Sequence, residues 1–230
     1  LNLLHTSLSP SSRMGWDRST ADPYKYDPAR GIAYHHAVFD ARTLCGPQPL
    51  TPDHVRALAG EHGVTHILSL QEEGDAARWG VDLRAVVRAA EEAGISHVRV
   101  PARDLDPGSL RVALPAAAGA LEAAHRASAP TDGRVFVHCT AGLGRAPAAC
   151  IAHAIWFRGL DLEAAYAALT AVRPCGPNRE AIRGATYDLA YVPGVTPRFS
   201  QLPPHAFTDL SPAERESVRA RALRSAEGLI

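Results

Sequence analysis

The chain has 230 residues, of which 46% are hydrophobic and 21% are charged, a composition that is ordinary for globular domains and excludes disordered and fibrous chains. Its 24 basic and 24 acidic residues balance to a formal net charge of zero, so no overall field attracts nucleic acid or an anionic membrane surface. No segment approaches the roughly 20 consecutive apolar residues of a spanning helix. We therefore expect a globular protein that binds neither nucleic acid nor membrane.

The two ends of the chain differ in composition from its centre. The first 16 residues contain four serines and no acidic residue, which fits either the remnant of an organellar transit peptide or a merely disordered terminus. Residues 17–34 are polar and rich in turn-forming pairs, so we expect irregular structure there. These shifts divide the chain into a flexible N-terminus (1–20), one main domain (21–192) and a C-terminal extension (193–230) whose helix packs on the core.

The hydrophobic pattern of the central region alternates between helical and strand periodicity. Thr51 and Pro52 are typical of a helix start, and Gly63 of its end. Pro115 should either kink its helix or mark the true first turn of that helix. Strands that alternate with helices predict a parallel or mixed sheet covered on both faces. The predicted helices are 51–61, 82–93, 109–127, 146–158, 161–172 and 211–226, and the predicted strands are 65–70, 96–102 and 135–138.

One segment has the pattern of a phosphate-binding loop. Residues 135–149 read VFVHCTAGLGRAPAA, in which Cys139 precedes Arg145 by six positions. A loop between a strand and a helix turns its backbone N–H groups inward, and glycines let it curl tightly around an oxyanion. Arg145 can bind two phosphate oxygens and favours the thiolate of Cys139, for which a buried structural thiol is the alternative. The predicted loop comprises Cys139, Thr140, Ala141, Gly142, Leu143, Gly144 and Arg145.

This loop resembles the signature loop of cysteine-dependent protein tyrosine phosphatases, in particular that of the compact dual-specificity phosphatases. CTAGLGRAP is more similar still to the plant and algal glucan phosphatases, which carry Ala-Pro after the arginine. The segments at 173–190 and 79–83 resemble the same subgroup, especially its short Like Starch-Excess Four members without a carbohydrate-binding module. The likeness covers about residues 22–226 and implies an α/β fold of the protein tyrosine phosphatase type, a single domain with a central mixed sheet flanked by helices.

The resemblance also implies a mechanism without metal or cofactor. Cys139 would attack the phosphate ester while an acid protonates the leaving oxygen, and water would then hydrolyse the cysteinyl-phosphate. The segment PARDLDPGSL offers two acids, and the family pattern assigns the role to Asp104 and a supporting role to Asp106. A solvated structural pair is the alternative. The close histidine pairs at 35–36 and 62/66 do not suggest a metal site.

The same resemblance implies that aromatic or apolar side chains near Cys139 bind the faces of sugar rings. Core packing is the alternative for Trp79. Leu105 stands after the acid, and Arg78 before Trp79, at positions where the family commonly has an aromatic residue. Phe207 matches part of a remote surface glucan site. The candidate substrate-binding residues are Tyr24, Tyr26, Trp79, Leu105 and Phe207.

We therefore expect an enzyme, a phosphoric monoester hydrolase that acts on starch-like glucans and supports starch degradation. The implied setting is the chloroplast stroma at the starch granule surface, with phosphorylated glucan as the partner of a monomer. Because no length remains for a separate carbohydrate-binding module, the catalytic domain itself should hold the glucan. Two alternatives remain: a dual-specificity phosphatase for phosphoproteins or phosphoinositides, and a non-catalytic glucan-binding scaffold.

Overall fold

Five strands form the central sheet of the structure, a computed structural model that describes residues 37–191 and 207–230. The sheet order is β1-β2-β5-β3-β4, with β1 antiparallel to β2 and all other neighbours parallel. The predicted mixed sheet is therefore confirmed. The strands are β1 (Ala37–Val38), β2 (Thr43–Gly46), β3 (Val64–Ser69), β4 (Ser96–Arg99) and β5 (Arg134–His138).

Helices cover both faces of this sheet, as the alternating pattern predicts. On one face α1 and α3 pack over a small apolar cluster that includes Leu44, Ile67 and Phe136. The remaining long helices enclose a larger core on the other face, which Val135 and Val137 enter from β5. The helices are α1 (Pro52–His62), α2 (Glu73–Arg78), α3 (Leu83–Glu92), α4 (Pro107–Ser128), α5 (Arg145–Arg158), α6 (Leu162–Val172), α7 (Arg179–Ala190) and α8 (Pro212–Ser225), with short 3₁₀ turns at Ala129–Thr131 and Phe207–Asp209.

Four elements have no counterpart among the predicted ones: β1, β2, α2 and α7. β1 and β2 have two and four residues, too few for a period to be visible. The six-residue α2 contains a glycine and two acids and only one buried apolar residue. The remaining predicted helices and strands form within a few residues of their expected bounds, the terminal helix α8 among them.

Pro115 lies in the middle of α4 rather than in its first turn. The helix begins at Pro107, and the carboxylate of Asp106 accepts a hydrogen bond from the N–H of Ser109 at the cap. Pro115 costs α4 one backbone hydrogen bond, to the carbonyl of Arg111, because proline has no N–H. The first-turn alternative is therefore wrong, since tertiary burial of α4 outweighs that local loss.

A glycine allows α4 and α8 to approach each other closely. A Cβ atom on Gly119 of α4 would lie 2.1 Å from the carbonyl oxygen of Ala222 in α8, so only glycine allows this close approach.

The parallel strands end in register, with Gly46 and Ser69 both level with His138. Ligands of open α/β sheets bind at this carboxyl edge of the strands. No helix of the described residues combines the length and apolarity needed to cross a membrane.

Candidate active site

The predicted phosphate loop lies at the carboxyl edge of the sheet. Cys139 directly follows β5, and Arg145 is the first residue of α5. Gly142 has a φ of +66°, and a Cβ atom there would lie 2.3 Å from the carbonyl carbon of Gly46. Both the left-handed backbone and this close approach require glycine. The loop is thus wedged against the end of β2.

The carbonyl groups of this loop point outward. All six carbonyls of residues 139–144 accept hydrogen bonds, whereas their N–H groups donate to no acceptor within the described residues. This polarity leaves the N–H groups of the loop for an anion. The donors are His138 Nδ1 to Cys139 at 3.1 Å, the Gln48 N–H to Thr140 at 3.0 Å, Arg173 to Ala141 and Gly142 at 2.8 and 2.6 Å, the Gly176 N–H to Leu143 at 2.9 Å and the Ala148 N–H to Gly144 at 3.0 Å.

Arg145 is buried and anchored at one end of its guanidinium group. Its NH1 donates to Asp75 Oδ2 at 2.6 Å and to the carbonyl of Ala102 at 2.9 Å. Its NH2 donates to the hydroxyl of Thr140 at 3.0 Å. Nε is buried and makes no hydrogen bond with the described residues, although Asp104 Oδ1 lies within ion-pair distance at 3.2 Å. The Nε and NH2 edge is therefore the edge that can bind phosphate oxygens.

The charges around Arg145 keep it protonated. Burial by itself would lower the pKa of Arg145, but the negative charges of Cys139, Asp75 and Asp104 outweigh burial and raise that pKa above its ordinary value. Asp75 is 5% exposed, so its contact with the guanidinium is a buried ion pair. Breaking such a pair is costly because one charge is then left without a partner.

The two candidate acids have different surroundings. The Asp104 carboxylate is 47% exposed and lies beside Arg145 at the mouth of the loop. Asp106 instead caps α4, where the N–H of Ser109 lowers the pKa of Asp106, with a further contribution from Arg103. Asp106 is thus occupied by its contact with the start of α4, whereas Asp104 lies beside the arginine of the loop. This difference in position favours Asp104 as the acid.

His138 shapes the loop without acting as an acid or base. Its ring is buried and stacks on Phe136 with centroids 5.7 Å apart, and Nδ1 donates to the Cys139 carbonyl. Burial lowers the pKa of His138 to about 3, and His97 adds to the effect. The ring is thus neutral near pH 7 and serves as a hydrogen-bond donor.

A cleft of about 450 Å³ opens above the loop, and two of the predicted substrate-binding residues line it. Trp79 is 43% exposed at the end of α2, so the core-packing alternative does not apply. Leu105 is 95% exposed and has a φ of +56°, which is uncommon for leucine. Arg78 and Arg103 also lie on the cleft wall.

The other candidate substrate residues do not line this cleft. Phe207 is 1% exposed and packs beneath Arg215 and Arg219 of α8, with their guanidinium carbons 5.7 and 5.8 Å from its ring centroid. Its assignment to a surface glucan site is corrected, because a buried ring offers no face to a sugar. Tyr24 and Tyr26 lie outside the described residues.

Three supporting residues were not predicted from the sequence. Asp75 holds Arg145, and Gln71 donates to the hydroxyl of Thr140 at 3.1 Å. Arg173 binds two loop carbonyls from the far side. Each is distant in the chain from its partner, and only Arg173 lies in a segment that carries the family resemblance.

A separate buried cluster contains residue types that bind metals. Polar atoms of Glu122, His125 and His153 lie within 4.8 Å of one another between α4 and α5. Glu122 already accepts hydrogen bonds from His153 at 3.0 Å and Arg126 at 2.9 Å, and Arg158 donates to His125 at 3.1 Å. Arginines thus supply the positive charge in this cluster. The absence of a metal from the chemistry stays a prediction.

The arrangement around Cys139 suits attack of a thiolate on a phosphate ester, the chemistry of cysteine-dependent phosphatases. Residues 50–184 match the family model described as the dual specificity phosphatase catalytic domain, and the chain belongs to that family.

Two plant proteins are similar to the chain. It is 37% identical over 146 residues to phosphoglucan phosphatase DSP4, amyloplastic, of Castanea sativa, a match that covers 63% of this chain and 37% of the relative. It is 33% identical over 173 residues to phosphoglucan phosphatase LSF1, chloroplastic, of Arabidopsis thaliana, covering 75% and 28%. The chain thus spans about a third of the length of these relatives. Among solved structures, that of PTPMT1 has a TM-score of 0.53 at 18% identity and covers 82% of this chain and 99% of its own, which shows the shared fold.

Proposed function

We propose that the protein hydrolyses phosphate monoesters on starch-like glucans through a cysteinyl-phosphate intermediate. The observation that carries this proposal is the loop of outward carbonyls around Cys139, with Arg145 Nε beside it, which makes no hydrogen bond with the described residues. The names of the two plant relatives, both phosphoglucan phosphatases, support the glucan as substrate. The proposed role is in starch degradation.

In the first step the thiolate of Cys139 attacks phosphorus and the bond from phosphorus to the sugar oxygen breaks. Asp104 donates its proton to the departing oxygen, which leaves as a sugar hydroxyl. The Nε and NH2 groups of Arg145 bind two of the phosphoryl oxygens, and the loop N–H groups bind the charge that develops on them. Asp104 is then a carboxylate.

In the second step that carboxylate takes a proton from water as the water oxygen attacks phosphorus. The bond from sulfur to phosphorus breaks, inorganic phosphate leaves, and Cys139 returns to the thiolate. Asp104 returns to the protonated form. Its partial exposure supports this role, because both the substrate and water can reach it.

The glucan would lie across the exposed side chains at the cleft mouth. Trp79 and Leu105 both line the cleft and are exposed, and sugar rings bind aromatic and apolar surfaces through their apolar faces. We include Tyr24 and Tyr26 in this proposed surface on the family resemblance alone. Replacing Trp79 by alanine should lower glucan turnover more than aryl phosphate turnover.

A phosphoprotein or phosphoinositide substrate is the second candidate. Arg78 and Arg103 on the cleft wall favour it, because arginines bind additional anionic groups. The similarity to dual specificity protein phosphatase 26 of Bos taurus also supports it. The two sequences are 31% identical over 121 residues, which make up 53% of this chain and 52% of that protein. The ion pair of Arg103 with Asp106 at 3.3 Å reduces that attraction.

One experiment distinguishes these functions. Phosphate release is measured from solubilised phosphoglucan, an aryl phosphate, a phosphopeptide and a phosphoinositide, for the wild type and for Cys139→Ser. We expect glucan and aryl phosphate turnover that Cys139→Ser abolishes. Turnover of the peptide or phosphoinositide without glucan would support the second candidate, and binding of glucan without any turnover would support a scaffold.

The setting of the enzyme is also proposed. The amyloplastic and chloroplastic names of the relatives support a plastid, and its substrate would bring the enzyme to the surface of the starch granule. We further propose a monomer with the catalytic domain over 21–192. Sedimentation of the protein with isolated granules tests binding to the granule surface. Light scattering of the free protein tests whether it is a monomer.

A further inference from the structure

We propose that Arg173 is a positioning residue that holds the phosphate loop in its anion-binding conformation and adds a second buried positive charge to the site. This inference rests on the phosphatase chemistry proposed above. Arg173 directly follows α6 and is 2% exposed. Its own N–H donates to the carbonyl of Leu169 at 2.9 Å, which fixes its backbone at the end of that helix.

The side chain of Arg173 binds two consecutive carbonyls of the loop. Nε donates to Gly142 at 2.6 Å and NH2 donates to Ala141 at 2.8 Å. Two parallel donors in one plane match two neighbouring carbonyls, which a lysine ammonium cannot do. Hydrogen bonds from a charged donor are also stronger than neutral ones.

These two bonds determine where the neighbouring N–H groups point. A trans peptide is planar, with its C=O and N–H on opposite sides. Holding the carbonyls of Ala141 and Gly142 outward therefore turns the N–H groups of Gly142 and Leu143 inward. Glycine adopts many backbone conformations, so Gly142 is the place where the loop would otherwise flip and direct a carbonyl at the phosphate.

The charge of Arg173 has no carboxylate partner within the described residues. Burial lowers the pKa of Arg173, and negative charge on Cys45, Cys139, Cys175 or Cys150 would oppose that effect. A buried charge without a paired carboxylate is costly, and a phosphate dianion in the loop beside it would offset that cost.

Arg111 provides a matched comparison. It is also buried, at 5% exposure, but it forms two hydrogen bonds of 2.7 and 2.6 Å with Asp188 and so joins α4 to α7. Its charge is compensated by that carboxylate. A purely structural buried arginine should behave like Arg111 on substitution.

The test compares Arg173→Met, Arg173→Lys and Arg111→Met with the wild type. Orthovanadate serves as the anion probe, with its dissociation constant measured as inhibition of aryl phosphate turnover together with kcat, KM and urea unfolding. We expect Arg173→Met to weaken vanadate binding by about 10- to 100-fold and to lower kcat, because loop donors are lost. Arg173→Lys should lie between, since charge without the planar fork holds one carbonyl. Arg111→Met should lower stability and leave the vanadate constant within about twofold.

Several results would overturn this inference. A folded Arg173→Met that binds vanadate like the wild type would show that the loop holds itself. If Arg173→Met does not fold, the test rests on Arg173→Lys. Wild-type vanadate affinity and kcat in Arg173→Lys would show that the planar guanidinium group of Arg173 is not required. A wild type that neither binds vanadate nor cleaves aryl phosphate would instead refute the proposed function.

Discussion

Replacing Asp75 by asparagine tests how far catalysis depends on the anchor of Arg145. Asp75 Oδ2 accepts hydrogen bonds from Arg145 NH1 at 2.6 Å and from the N–H of Glu72 at 3.1 Å, and both charged groups are buried. Breaking a buried ion pair typically costs about 3–5 kcal/mol. Because asparagine keeps one oxygen acceptor, we expect the free energy of unfolding to fall by about 2–4 kcal/mol.

The effect on activity follows from the lost hydrogen bond. A hydrogen bond to a charged group contributes about 1.5–3 kcal/mol, which corresponds to a decrease of about 10- to 150-fold in kcat/KM at 1.36 kcal/mol per decade. The decrease should appear mainly in kcat, because Arg145 keeps its charge but loses its orientation towards the transition state. Initial rates with an aryl phosphate, and urea unfolding of the same samples, measure both quantities.

Asp188→Asn is the matched control. It breaks a different ion pair of a buried arginine with an aspartate, that of Arg111 with Asp188 at 2.6 Å, far from the loop in the chain. Asp188→Asn should lower stability and leave kcat/KM of the folded enzyme close to the wild-type value. Wild-type kcat in Asp75→Asn, or equal losses of kcat in both variants, would refute the proposed anchoring.

Three further predictions concern pH, packing and the cleft mouth. Burial lowers the pKa of His138 to about 3 and that of His125 to about 4, so their full contribution to stability is present above the ordinary value of 6.5. Each of these histidines should then lower the free energy of unfolding by about 1.4 kcal/mol per pH unit as the pH falls from 6.5 towards 4. A urea midpoint that does not change over that pH range would contradict this prediction. Gly119→Ala should lower the free energy of unfolding by about 1–3 kcal/mol, because the added methyl would meet the Ala222 carbonyl at 2.1 Å, and an unchanged urea midpoint would refute close packing of α8. Leu105→Asn should keep or raise the melting temperature, since asparagine tolerates positive φ, yet lower glucan turnover about fivefold more than aryl phosphate turnover through lost apolar contact; equal losses would exclude Leu105 from the glucan surface.

Local pattern was sufficient to predict the sheet and to single out Cys139 and Arg145 as the candidate nucleophile and phosphate-binding arginine. Cys139 and Arg145 lie within one strand-loop-helix unit, where spacing fixes geometry because few backbone paths join a strand to a helix over so few residues. The alternation of strands and helices likewise predicts a mixed sheet, since each apolar face must be covered. These features depend on neighbours in the chain.

Residue type alone could not rank the two acids or the aromatic candidates. Asp104 and Asp106 are two positions apart, and the structure distinguishes them because the start of α4 uses Asp106 as its cap. Trp79 and Phe207 are both large aromatics, yet one lines the cleft and the other is covered by α8. Exposure is a property of packing, which the composition of a segment does not determine.

The sequence by itself determined the α/β sheet and predicted a thiol nucleophile in a phosphate loop between a strand and a helix. Only the tertiary structure decided what holds that loop. Asp75 lies 70 positions before Arg145, and Arg173 lies 31 positions after Gly142. Nothing local marks either residue, because an acid on a short helix and an arginine after a longer one are ordinary surface patterns. Chain packing buries both residues against the loop or its arginine, and burial strengthens the electrostatic interactions that they make there.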